Sequence, residues 1–112
     1  MLPQVFDQQL VHLFRYWHQG IRLGMRHGNE LYAFVRSYPA RDRLSAYELA
    51  CELAELGNAT CVTRSEWRYT IWISLRAPLM ETPIYSRDEE GEKAMLQESG
   101  LLPEAAKSIS YA

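Results

Sequence analysis

Residues 68–75, Arg-Tyr-Thr-Ile-Trp-Ile-Ser-Leu, constrain this chain more than any other stretch. Tyr69, Ile71, Ile73 and Leu75 fall on one parity; Arg68, Thr70, Trp72 and Ser74 fall on the other. Side chains of a strand point alternately to opposite faces, so this segment predicts a β-strand with one strongly apolar face. Residues 59–64 precede it across the turn Ser65-Glu66-Trp67 and predict a hairpin partner.

Upstream, Ser45-Ala-Tyr-Glu48 has the form of a capping box. The serine hydroxyl accepts a backbone N–H there, and the glutamate reaches back to the capping residue. Ala46, Leu49, Ala50, Leu53 and Ala54 then form a narrow, small-residue face that lets a helix approach a sheet closely, and Gly57-Asn58 marks its end. Residues 31–38, rich in aromatic and β-branched side chains, predict a first strand closed by Pro39. A strand, a helix and a hairpin in this order make a split β-α-β-β unit, half of a ferredoxin-like sheet, with strand 68–75 in the middle.

Residues 4–26 predict an amphipathic helix. Phe6, Leu10, Leu13, Phe14, Trp17, Ile21 and Met25 recur at steps of three and four, and His27-Gly28-Asn29 reads as its stop. Past Pro78 and Pro83, residues 82–86 suggest an edge strand, and Ser86 suggests the cap of a short acidic helix at 87–98. The expected class is therefore α+β: an N-terminal helix, a three-stranded mixed or antiparallel sheet, and an acidic C-terminal helix. The length of 112 residues suits one domain spanning 1–112.

Charge is unevenly spread. Residues 1–76 carry +2, with arginine as their only base, and residues 77–112 carry −4. No apolar run reaches the length of a membrane-spanning helix, and the N-terminus lacks the basic-then-apolar pattern of a secretory signal, so a cytoplasmic protein is expected. Cys51 and Cys61 read as small buried thiols in a reducing compartment.

Chemistry-bearing motifs are sparse. His12 and His18 are six residues apart, off the one-turn spacing of a helical metal pair, and no cofactor is implied. Gly20 and Gly24 match G-x-x-x-G within a polar context, which favours a bend or close packing. Glu48, Glu52 and Glu55 form the solvated stripe of a helix. No nucleophile, base and oxyanion donor come together, so a non-enzymatic protein is expected.

The face of the expected sheet away from helix 45–56 carries Tyr32, Phe34, Arg36 and Tyr38, with Arg64, Arg68 and Trp72 beside them. An uncovered aromatic face is unstable in water and calls for a covering group. The first expectation is a protein-binding, regulatory or assembly factor, a homodimer or a binder of another protein, that buries Trp17, Phe34 and Trp72 on association. The alternative is a single-stranded nucleic-acid module that stacks bases on the aromatics and holds phosphates with Arg36, Arg64 and Arg68.

Overall fold

A computed structural model describes residues 2–76 and 88–101. The chain runs β1 (Gln4–Asp7), a 3-10 turn, β2 (His12–Trp17), β3 (Ile21–His27), β4 (Glu30–Pro39), α1 (Arg43–Glu55), β5 (Thr60–Arg64), β6 (Arg68–Ser74) and α2 (Glu89–Glu98). Its six strands form one mixed sheet in the order β1-β5-β6-β4-β3-β2, in which β1 lies parallel to β5 and every other pair is antiparallel.

The N-terminal helix expected over residues 4–26 is absent; that stretch forms three strands. Its apolar residues satisfy both periods, and the turns decide between them. Gln19 and Gly20 hold φ of 57° and 118°, which reverses the chain between β2 and β3. Gly28, at φ 61°, takes the first central position of the two-residue turn joining β3 to β4. A glycine with positive φ there suits a type II′ hairpin, so the signal read as a helix stop is a strand reversal. The expected three-stranded sheet is overturned with it. The β4-α1-β5-β6 unit is present, but as the middle of a six-stranded sheet.

α1 begins at Arg43, and no side chain caps it; Ser45 lies inside its first turn rather than ahead of it. Ala40–Asp42 already turn as a 3-10 segment after Pro39, which starts the helix early. Its end is as expected: the Asn58 N–H donates to Leu53 O and the Gly57 N–H to Ala54 O, with Gly57 at φ 93°. The expected strand at 82–86 and the cap at Ser86 lie outside the described residues.

Two cores flank the sheet. Ala46, Leu49, Ala50 and Leu53 of α1 pack on Ala33, Val35, Val62, Ile71 and Ile73. On the other side Met95 and Leu96 of α2 pack on Leu23, Met25, Tyr32, Phe34, Cys61 and Trp72. The sheet curls around this second core. Five strand spacings would separate β1 from β2 by about 24 Å in a flat sheet. Gln8–Val11 joins them through a tight turn, which is too short for that span. Phe6 of β1 accordingly stacks on His27 of β3, ring centroids 4.0 Å apart, although three strands lie between them in the sheet.

Gly24 shows how closely the edge hairpin packs. Its strand partner is Phe14, and a methyl group added at Gly24 would lie 2.6 Å from Phe14 Cζ. Gly24→Ala is expected to force the ring aside at a cost of about 1–3 kcal/mol, read as a lower urea midpoint with an unchanged slope.

Candidate functional site

Of the seven residues expected to bind a partner, the fold gathers four and disperses three. Tyr32, Phe34 and Trp72 lie buried under α2, and Trp72 is 0% exposed. Its indole N–H donates to Thr63 Oγ1 at 2.9 Å, and its ring meets Phe34 edge-on at 5.8 Å. Arg68 joins them at the rim: Nη1 donates to Ser37 Oγ at 3.2 Å and Nη2 pairs with Glu98 of α2 at 2.7 Å. The face is thus covered by the chain's own acidic helix.

Arg36 and Arg64 do not join this face. A bulge at Val35 shifts the register between Phe34 and Arg36, so Arg36 is paired with Ile71, on the α1 side, and Tyr38 packs there too. One inserted residue reverses the parity of everything beyond it. On β5, Cys61 and Thr63 are paired with Trp72 and Thr70, which leaves Val62 and Arg64 on the α1 side with Ile71 and Tyr69. Trp17 sits at the tip of the β2–β3 hairpin, 78% exposed.

The acidic helix is held by carboxylates that fill a parting in the sheet. β3 and β4 pair only as far as Gly24 and Ala33. Past that point the Leu23 N–H donates to Glu92 Oε2 at 2.7 Å, and Arg22 Nε donates to the same oxygen at 3.1 Å. The Ser37 N–H, beyond the bulge, donates to Asp88 Oδ2 at 3.1 Å, while Oδ1 of Asp88 accepts the Gly91 N–H and caps α2. Backbone donors that a regular ladder would satisfy are satisfied by side chains instead. Glu92 is 2% exposed, so its charge lies inside the fold beside that of Arg22.

The open surface is on the α1 side, next to the edge strand. α1 packs over β4, β5 and β6 and leaves β1 beside it uncovered. A groove of about 360 Å³ lies there, lined by Val5, Leu44, Tyr47, Val62 and Tyr69, with Arg43 and Arg64 at its margin. Through Arg64 and Tyr69 it continues into a polar hollow of about 550 Å³ that includes Asp7, Gln8, Ser65 and Glu66. Arg64 is held in place by Asp7, whose Oδ1 accepts from Nε at 3.2 Å and from Nη2 at 3.0 Å. Leu44 is 73% exposed, and Val5 and Tyr47 are exposed beside it. Leu44 and Tyr47 were legible as a pair three residues apart, off the Ala46–Leu49–Leu53 stripe; Val5 was hidden by the reading of residues 4–26 as a helix.

Burial pushes the Cys61 thiol up to about 12 and raises the pKa of Tyr32, the latter helped by Cys61 and Glu30 nearby. Cys61 is therefore a neutral core side chain rather than a nucleophile. Among the described residues no three His, Cys, Asp or Glu side chains gather as a metal site, and no helix is long and apolar enough to cross a membrane. Compared with protein-family models, with curated proteins and with solved structures, the chain matches none.

Proposed function

We propose that this chain is a non-enzymatic protein-binding module acting in assembly, and that its first partner is a second copy of itself, docked through the α1–β1 groove. The observation that carries this reading is the make-up of the groove. Its middle is exposed and apolar, Arg43 lies at its margin, and Glu66 lines the polar hollow into which it continues. A two-fold axis sets the same patch against itself, so that basic and acidic groups of one copy face those of the other. Such complementarity steers and orients docking, while the apolar middle supplies most of the affinity. β1 lies at the sheet margin, and no described strand pairs with its outer edge, which offers backbone donors and acceptors to the incoming chain.

Light scattering over a range of concentrations tests the reading. The wild-type chain is expected to pass from one copy to two as concentration rises. Leu44→Asp, a change at an exposed position, is expected to weaken self-association at least about tenfold, the effect of burying an unpaired carboxylate in an apolar contact, with the thermal midpoint of the monomer unchanged. A wild-type chain that stays monomeric throughout, or a Leu44→Asp chain that dimerises equally well, sinks it.

A further inference from the structure

The β2–β3 hairpin stands apart from the rest of the chain in charge. Residues 8–29 hold three arginines, three histidines and no Asp or Glu, so with neutral histidines this stretch carries +3 while the rest of the chain carries −5. Strand pairing places His12 opposite Arg26, Phe14 opposite Gly24 and Tyr16 opposite Arg22. Leu13, Leu23 and Met25, of the other parity, turn into the core beneath α2, so the first set belongs to the outer face of the hairpin. The apolar stripe of α1 packs on β4, β5 and β6, and this face lies beyond it.

Phe14 and Tyr16 form a ring pair on that face, centroids 6.0 Å apart, and both are half-buried. The missing side chain at Gly24 lets the end of the Phe14 ring come down over the backbone. His12 and Arg26 are exposed beside the pair. Arg26 Nη1 donates to Gly28 O at 3.3 Å, which leaves the rest of its fork toward solvent. Trp17, exposed where the hairpin turns, has the parity of Leu13 and Met25 and is not part of this face.

We propose that the outer face of this hairpin binds single-stranded nucleic acid. Bases stack on aromatic rings whatever their identity, and arginines track the phosphates. The acidic remainder of the chain repels a polyanion, so the attractive field is confined to the hairpin. Arg26 supplies phosphate contact next to the rings; Arg22 is engaged by Glu92 and holds α2 instead. None of the residues of this face lines the α1–β1 groove, so the outcome of the self-association experiment leaves this proposal standing.

The test is fluorescence anisotropy with labelled oligouridylate and oligothymidylate of about 12 nucleotides, the span of one such site, at about 50 mM salt. Both are expected to bind if stacking and phosphate contact suffice; a preference for oligouridylate would assign a role to the 2′-hydroxyl. Affinity is expected to fall with salt, by about 0.7 in log–log slope for each phosphate contact, and Arg26→Gln is expected to remove about one such increment. Tyr16→Ala is expected to weaken binding about tenfold. Arg26→Gln, at an exposed position of the same face, keeps the test clear of misfolding, and circular dichroism checks both variants. Three outcomes overturn the proposal: no anisotropy rise with either oligonucleotide, binding indifferent to both substitutions, or a blue shift of tryptophan emission with anionic phospholipid vesicles while both oligonucleotides fail.

Discussion

Trp72→Ala is expected to lower folding stability by about 3–5 kcal/mol, the range for truncating a buried aromatic side chain. Trp72 lies at the centre of the core beneath α2, fully enclosed, with Phe34 against its ring edge and Thr63 accepting its N–H. Truncation opens a large cavity between the sheet and α2 and leaves the Thr63 hydroxyl without its indole donor. Domains of this size hold about 5–15 kcal/mol in all, so the variant keeps only part of its margin. Urea denaturation reads the change directly. Cys61 supplies a second probe, because it is paired with Trp72 across β5 and β6 and burial keeps its thiol protonated, at about 12. Its alkylation by iodoacetamide is expected to be slow in the wild-type chain and faster in Trp72→Ala, in step with the lost stability. An unchanged urea midpoint together with unchanged Cys61 protection would mean that Trp72 is not at the centre of the core.

Glu92→Ala is expected to cost a similar amount, about 3–5 kcal/mol, because removal of one member of a buried pair strands the other. The donors that lose their acceptor oxygen include the Leu23 N–H, at 2.7 Å, and Arg22 Nε, at 3.1 Å. Arg22 keeps partial contact with water, which softens its share of the loss. The Leu23 N–H faces the parting between β3 and β4, where no strand neighbour accepts it. Glu92→Gln restores a neutral acceptor without the charge and is expected to recover part of the loss. The ranking wild type, Gln, Ala in urea midpoint is the outcome that supports this account, and equal midpoints for Gln and Ala would remove the hydrogen bond from it. Release of α2 would also uncover Tyr32, Phe34 and Trp72, so Glu92→Ala is expected to bind the dye ANS more strongly than the wild type.

The same residues show how far a linear reading reaches. The apolar parity of β6, the small-residue face of α1 and its glycine end, and the acidic C-terminal helix were all legible, because each rests on local periodicity or a local cap. The N-terminal third was not. Leu13, Trp17, Ile21 and Met25 fit a helical step of four, yet Leu13, Leu23 and Met25 also share one face of an antiparallel pair. Local periodicity left the two readings level, and the edge of β4, which β3 pairs with, decided for strands. An isolated helix would have left that edge open.

The candidate surfaces followed the same division. Arginine and aromatic side chains on alternate strand positions announced a face with binding chemistry, and the residue types are what the chain itself determines. Which of them meet solvent was settled by one bulge at Val35, by the curl that brings Phe6 onto His27, and by α2 lying across Trp72. Each of these is a long-range event: it depends on pairing register, sheet curvature or the docking of a segment far along the chain, and none leaves a periodic trace in the residues it moves. Sequence by itself determined the apolar parity of β6, the small-residue face of α1 and the charge of each segment. Tertiary structure alone decided that the acidic helix is a core element anchored by Asp88 and Glu92, and that the accessible chemistry lies at the two margins of the sheet, because burial is a property of contacts between segments and not of any segment alone.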